Sequence, residues 1–263
     1  MEYLVVCLVA LVAGGLTLIS GFGLGTLLMP AFAVFFPPEV AVGATAVVHL
    51  ANSLFKLATI GRWARWNVVW GFGIPAIAGA VVGALLLAGS TGLPTLTEYE
   101  VGPIAARITP VGLLVGGLIV AFAFLETWER FEKKRMPRKY LALGGLVSGF
   151  FGGLSGHQGA LRSIFLVRSG MEAREFTGTS STIACMVDLT RLGVYAAGAA
   201  VFSKDFGAAG GVSWWLIGAA CAAAFAGSAL GAQVVKKVTM AQVRKVVAVM
   251  LGVLGVAVMA GVV

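Results

Sequence analysis

Two short glycine-containing stretches interrupt long apolar segments of this chain, and one of them holds side chains suited to binding an anion. That stretch is Ser155-Gly156-His157-Gln158, and Arg162 follows about two helical turns after its start. An imidazole, an amide and a guanidinium all offer hydrogen-bond donors to oxygen atoms, and the guanidinium adds a permanent positive charge. The alternatives are a histidine bonded to a neighbouring carbonyl, and an arginine whose long side chain extends to the cytoplasm.

The other stretch is Ser20-Gly21-Phe22-Gly23, in which a serine again directly precedes a glycine. This order is typical of a helix start, where unpaired N–H groups carry partial positive charge. Glycine also lets the backbone approach a ligand closely. We expect both stretches to bind substrate, the more polar second one above all. The alternative is close helix packing, which we favour for Gly14, Gly79, Gly83, Gly227 and Gly231.

Further polar residues stand in apolar segments. His49 and Asn52 are three residues apart and share a predicted helix face, where they either line the site or serve the structure. Asp188 and Arg191 have the same spacing and predict an ion pair. That pair is either structural, or Asp188 carries a coupling proton and Arg191 attracts the anion. Lys56 lies near the end of its helix, so we expect its side chain to reach the membrane surface.

The elements that position these residues are predicted to be membrane helices. Hydrophobic residues make up 59% and charged residues 11% of the 263 positions, which leaves too little polar surface for a soluble fold. Charge-free runs such as 66–97 and 108–125 reach the roughly 18 to 20 residues that cross a bilayer, and they lack the alternation of barrel strands. Basic residues cluster at the ends of the runs, which indicates cytoplasmic loops rather than nucleic-acid binding. The three cysteines lack metal-ligand spacing, and we expect no metal or cofactor.

An internal repeat relates the two halves of the chain. An offset of 135 residues aligns Gly14 with Gly149, Ser20 with Ser155 and Lys56 with Arg191, and an offset of 148 aligns 76–84 with 224–232. An ordered series of matches indicates duplication. The chain therefore divides into a first repeat (1–125), a basic cytoplasmic linker (126–140) and a second repeat (141–263).

Basic loops orient the two repeats. Six Lys or Arg residues place the loop 126–139 in the cytoplasm, and four more mark a second cytoplasmic loop within 236–245. The equivalent of that second loop in the first repeat, 88–102, has no Lys or Arg and is expected outside. We therefore predict an all-α integral membrane protein of inverted repeats, each with a broken helical hairpin followed by three transmembrane helices. Both termini then lie outside. Eight ordinary helices are the alternative.

Glycine-rich segments at 14–30 and 149–165 each precede a small-residue helix that opens with Gly43-Ala-Thr-Ala or Gly178-Thr-Ser-Ser. This duplicated arrangement resembles the sulfite exporter TauE/SafE family over nearly the whole chain. The resemblance implies a transporter, often an exporter, of sulfite, thiosulfate or an organosulfonate such as sulfoacetate. The family's usual Gly-x-Gly-Gly-Gly form is altered in the second segment by His157 and Gln158.

From the residues alone we predict an anion transporter that alternates access around a midplane site between the two hairpin tips. An anion channel is the alternative. A membrane-embedded enzyme is disfavoured, because the chain has neither a His-Glu-x-x-His motif nor a nucleophile elbow. We expect a multi-pass protein of a bacterial inner membrane, whose partners are a small sulfur-containing anion and the lipid bilayer. A homodimer is compatible with the sequence.

Overall fold

A computed structural model describes residues 1–20, 23–102, 104–127, 136–166, 170–198, 211–234 and 240–262. Among these residues the first half has five α-helices: α1 (Glu2–Ser20), α2 (Leu24–Ala33), α3 (Pro38–Ile60), α4 (Trp66–Ser90) and α5 (Pro110–Thr127). The second half has five more: α6 (Leu141–Ser155), α7 (Gly159–Leu166), α8 (Ala173–Ala197), α9 (Trp214–Val234) and α10 (Met240–Met259). Each half thus begins with two helices separated by an interruption and continues with three helices of 18 to 25 residues.

Both helix interruptions lie where the glycine-containing stretches occur. α1 ends at Ser20 and α2 begins at Leu24, while α6 ends at Ser155 and α7 begins at Gly159. Gly156 has a φ angle of 84°, a left-handed conformation that glycine adopts without steric cost and that ends α6. Gly21 and Phe22 lie outside the described residues, as does most of the predicted basic linker.

A two-stranded antiparallel hairpin departs from the expected all-α fold. Strands β1 (Thr97–Val101) and β2 (Ile104–Ile108) pair where the sequence predicts the outside loop 88–102 and the start of the apolar run 108–125. The alternation of polar and apolar residues in Thr97-Glu-Tyr-Glu-Val favours a strand, and Gly102 begins the turn with φ 60°. The hairpin holds the end of the chain, because Tyr99 donates a hydrogen bond of 2.6 Å to the Ala260 carbonyl.

Helices of one half pack mainly against helices of the other. α1 packs against α9, α4 against α6, α3 against α8, and α5 against α10. α3 and α8 run antiparallel, because the Arg65 amide just after α3 donates to Thr179 Oγ1 near the start of α8, and Gly178 lies against the Ile60 carbonyl. α5 and α10 are also antiparallel, with Gly112 beside Val258 and Gly116 beside Gly255.

Glycines allow two of these pairs to approach at backbone distance. A Cβ atom added to any of four of them would collide with a neighbouring main chain: Gly149 with Ala76, Gly14 with Ala224, Gly79 with Leu146, and Gly227 with Leu11. Gly83 likewise lies against Phe150. The packing role predicted for Gly14, Gly79, Gly83 and Gly227 is therefore confirmed, whereas the surroundings of Gly231 lie outside the described part of the chain. Close contact of this kind is how small residues hold membrane helices together.

We expect Gly149→Ala to lower the stability of the folded protein by about 1 to 3 kcal/mol, because the added methyl group pushes α6 away from α4. The matched control is Gly117→Ala in α5, where an added Cβ meets nothing within 4 Å. Alanine is the better helix former, so that variant should be as stable as the parent or slightly more so. Thermal unfolding in detergent measures both. Equal stability of the two variants would contradict the close α4–α6 packing.

The outer surface of the helices is apolar. Large hydrophobic side chains such as Trp70, Leu85, Phe124 and Leu189 are exposed. By length and composition, two of the described helical segments, Pro38–Trp63 and Trp66–Ser90, suffice to cross a membrane. Polar side chains are instead buried between α3, α7 and α8, so the candidate functional residues lie inside the protein.

Candidate anion-binding site

A polar cavity lies between α3 and α8. Four of its residues, His49, Asn52, Ser53 and Lys56, have the spacing of a single helix face on α3, and four from α8 have the same spacing. The space inside it, including its open mouth, is about 290 Å³. Its described lining residues are Thr17, His49, Asn52, Ser53, Lys56, Arg162, Thr177, Ser180, Ser181 and Ala184.

The cavity is positively charged. Lys56 and Arg162 line it and are only 4% and 3% exposed, and its described lining contains no Asp or Glu. Arg162 Nε donates to Ser180 Oγ at 2.9 Å, and its Nη1 donates to Gln158 Oε1 at 3.0 Å. Lys56 Nζ makes no hydrogen bond or ion pair with the described residues. A buried cation without a carboxylate partner is costly, and an anion in the cavity would offset that cost.

A central cluster of Asp188, His49, Gln158 and Arg191 closes one side of the cavity. The two Asp188 carboxylate oxygens meet three groups: His49 Nδ1 at 2.5 Å, Gln158 Nε2 at 3.1 Å and Arg191 Nη2 at 2.8 Å. Asp188 and Arg191 are wholly buried. Because His49 and Arg162 belong to the cavity and Gln158 bonds both Arg162 and Asp188, the cluster is continuous with the cavity wall.

The two helix interruptions meet beside this cluster. A Cβ atom on Gly25, the second residue of α2, would lie 2.7 Å from the Gly156 carbonyl oxygen and 3.9 Å from the His49 ring. A Cβ atom on Gly156 would lie 2.8 Å from Arg191 Nη1. Only glycine leaves room for these approaches. The amino-terminal turn of α2 therefore contacts the end of α6 next to the buried side chains of His49 and Arg191.

Residues 6–258 match the sequence profile of a family described as "Sulfite exporter TauE/SafE". The chain belongs to the sulfite exporter TauE/SafE family. Neither the curated proteins nor the solved structures compared with the chain match it. Membership makes this a membrane protein of a transporter family, and it implies an exporter-type transporter of sulfite or a related sulfur anion.

In this TauE/SafE protein most of the predicted site residues are close together. His49, Asn52 and Arg162 line the cavity, and Gln158, Asp188 and Arg191 form the central cluster with His49. The predicted Asp188–Arg191 ion pair is confirmed. Asn52 also accepts a hydrogen bond of 2.8 Å from Ser228 of α9. Their roles in transport stay predictions.

The remaining predicted residues lie at or behind the helix interruptions. Ser155 donates to the Phe151 carbonyl within α6, and His157 stacks on Phe122 of α5 with ring centroids 4.9 Å apart; neither residue lines the cavity. Gly23 precedes α2 with φ 120°, and Ser20 ends α1. Gly21 and Phe22 are not among the described residues, so only the residues on either side of the first interruption are described.

The expectation that Lys56 extends to the membrane surface is wrong. Its side chain turns into the protein because it shares the inward face of α3 with His49, Asn52 and Ser53. Hydroxyl groups of α8 and Thr17 of α1 were also missed. The sequence does contain a pattern that indicates the two cavity faces. Cavity residues follow His49 in α3 and Thr177 in α8 at the same spacings of three, four and seven residues.

We expect Lys56→Gln to weaken binding of a sulfur oxyanion by about tenfold, because it removes one charge-assisted contact from the cavity. Lys139→Gln is the matched control, since that lysine lies outside the cavity with its ammonium over the Tyr140 ring. Isotope binding to the detergent-solubilised protein measures both. Equal affinity in Lys56→Gln and the parent would remove Lys56 from the site.

Proposed function

We propose that this protein is a secondary transporter that exports a small sulfur-containing oxyanion, with sulfite, thiosulfate and organosulfonates such as sulfoacetate as the candidate substrates. The observation that carries the proposal is the cavity with two buried cations and no carboxylate among its described lining residues. Around those cations stand the hydroxyl groups of Ser53, Ser180 and Ser181, which can donate to the remaining oxygens of a tetrahedral or pyramidal anion. The Thr17 and Thr177 hydroxyl groups also line the cavity, but they donate to the Ala13 and Ala173 carbonyls.

Two inverted repeats, 1–125 and 141–263 joined by the linker 126–140, form the proposed architecture. The helix contacts support it, because residues related by the sequence offsets make related contacts: Gly14 on Ala224 corresponds to Gly149 on Ala76. The equivalent helices α3 and α8 also run antiparallel. A twofold axis in the membrane plane produces this combination of swapped and antiparallel neighbours.

Exposed tryptophans support the same orientation, and we propose that the protein is a multi-pass protein of a bacterial inner membrane. α4 begins with Trp66 and α9 begins with Trp214, and both side chains are exposed. Tryptophan concentrates at membrane interfaces. In the inverted arrangement these two helix starts lie at opposite interfaces, with Trp66 near the cytoplasmic Arg62 and Arg65. Both chain termini then lie outside.

Transport in this arrangement is an alternation around the central cluster. The Lys56 end of α3 faces the cytoplasm. The cavity therefore lies on the side from which an exporter takes up its substrate. The His49–Asp188 contact joins α3 to α8, and the Gln158–Asp188 contact joins the second interruption to α8. Rocking of one repeat against the other would part the His49–Asp188 contact, which joins the two repeats, and open the opposite side. The substrate contacts Arg162, whose guanidinium is hydrogen-bonded to Gln158. Because Gln158 also bonds Asp188, binding of the substrate alters the contacts of the central cluster.

Flux into proteoliposomes tests the proposal. We expect saturable uptake and counterflow of sulfite, thiosulfate or sulfoacetate, with no comparable flux of acetate. Counterflow is the property of a carrier, and its absence together with unsaturated flux would identify a channel. Failure of every sulfur anion to move would overturn the proposed function.

A further inference from the structure

Unpaired polar atoms gather on the side of the central cluster away from the cavity. Among the described residues, the buried side-chain atoms without a hydrogen-bond partner are Thr45 Oγ1, His157 Nε2, and Nε and Nη2 of Arg191. Arg191 Nη2 still meets Asp188 as an ion pair, without hydrogen-bond geometry. Orphaned buried polar atoms are rare and each needs an explanation. None of these three residues lines the cavity.

The helix directions place the three residues on one side of Asp188. α3 and α8 are antiparallel, so moving from His49 back to Thr45 on α3 corresponds to moving from Asp188 forward to Arg191 on α8. Arg191 lies against Gly156, and His157 is the next residue. The charge of Arg191 acts on the His157 ring. The cavity residues Lys56 and Ser181 lie in the other direction along the same two helices.

The hydrogen bonds of His157 define which of its nitrogens is free. Ser155 Oγ donates its one proton to the Phe151 carbonyl at 3.2 Å, so it accepts from His157 Nδ1, 3.0 Å away. In the neutral ring the other nitrogen, Nε2, then carries a lone pair. It is buried and faces no donor among the described residues. Phe122 of α5 covers the ring face, and the positive charge of Arg191 on α8 opposes a proton on the ring unless an anion lies between the two groups.

We propose that His157 Nε2 and Arg191 form a second oxyanion subsite, which holds the anion together with one proton. The inference rests on the proposed function that this chain moves a sulfur oxyanion. The guanidinium supplies charge and the unused Nε–H donor. Nε2 either takes up one proton from the bulk water, which makes the ring a donor to the anion, or accepts a hydrogen bond from the O–H of an anion that itself carries the proton. The proton is released with the anion on the far side of the cluster.

Proteoliposomes that contain a pH-sensitive dye distinguish the two sources of the proton. Thiosulfate carries no proton in neutral water, whereas sulfite takes one up near neutral pH. If the ring carries the proton, thiosulfate flux in the parent protein moves about one proton per anion. His157→Gln, which keeps a polar atom near Nε2 but cannot titrate, then moves thiosulfate without protons.

If the anion carries the proton, sulfite moves faster as pH falls and is preferred over thiosulfate. His157→Leu, which lacks the acceptor, then loses that preference. Phe122→Leu is the control in both cases, since it removes only the stacked ring and should keep the proton movement. Arg191→Lys keeps the ion pair but removes the Nε donor, and we expect it to slow flux of both anions at unchanged thermal stability.

Proton-independent flux of both anions in the parent protein, with the same pH profile in His157→Gln and His157→Leu, would overturn the second subsite while leaving the transport function intact. A parent protein that moves no sulfur anion would instead count against the proposed function. The two failures are therefore separate, because one is read from the proton signal and the other from the anion signal.

Discussion

Replacing Arg162 with leucine should weaken binding of a sulfur oxyanion by about 10- to 100-fold, because a charge-assisted contact is worth about 1.5 to 3 kcal/mol. Leucine is the informative choice, since Leu27 occupies the equivalent position of the first repeat. Among the described lining residues Arg162 alone comes from α7, and its guanidinium also bonds Ser180 and Gln158. Binding of isotope-labelled thiosulfate to the solubilised protein measures the loss.

Arg162→Lys is the matched variant, because it keeps the charge and removes the planar fork of donors. We expect it to bind with intermediate affinity, since the ammonium can reach the anion but cannot hold Ser180 and Gln158 at the same time. Unfolding temperature serves as the control for folding in both variants. If both bind thiosulfate as tightly as the parent protein, the cavity between α3 and α8 is not the substrate site.

The cavity and the central cluster differ in how far the sequence predicts them. Polar residues inside apolar segments are visible without a structure, and this is why Arg162, Asp188 and His49 could be named as candidates. Their contacts could not. His49 and Asp188 are 139 residues apart and meet because α3 packs on α8 in one rotation. Sequence periodicity defines a helix face but not the partner that the face meets.

The error at Lys56 has the same origin. Its position near the end of α3 is compatible both with reaching the surface and with turning inward, and the choice depends on the rotation of the helix against α8. The hairpin formed by β1 and β2 was missed for another reason. Five-residue strands give a weak periodic signal, and tertiary contacts such as Tyr99 with Ala260 help to hold them.

The two halves share helix packing but have different chemistry at equivalent positions. Lys56 is unpaired in the cavity, whereas its equivalent Arg191 is held by Asp188; the equivalent of Asp188 is Ser53. A strictly symmetric pair would present the same site to both sides. The carboxylate in only one half makes the two sides of the cluster chemically different, because Lys56 has no carboxylate partner in the cavity whereas Arg191 shares its charge with Asp188.

Asp188→Asn should therefore lower stability by about 3 to 5 kcal/mol, as expected when one partner of a buried ion pair is removed. Asparagine is nearly isosteric and can still accept from Gln158, so the lost charge is the main change. Arg191 would then be a wholly buried guanidinium with no carboxylate within reach among the described residues, and His49 would lose its partner as well. Thermal and denaturant unfolding in detergent measure the loss.

A double-mutant cycle separates the charge pair from general damage to the core. Arg191→Gln alone should also destabilise, because it leaves the Asp188 carboxylate with only His49 and Gln158. The double variant Asp188→Asn with Arg191→Gln removes both charges, so we expect it to be more stable than the sum of the single losses predicts, by about 1 to 3 kcal/mol. Strict additivity would mean that the two charges do not stabilise each other and that Asp188 is held in place by His49 instead.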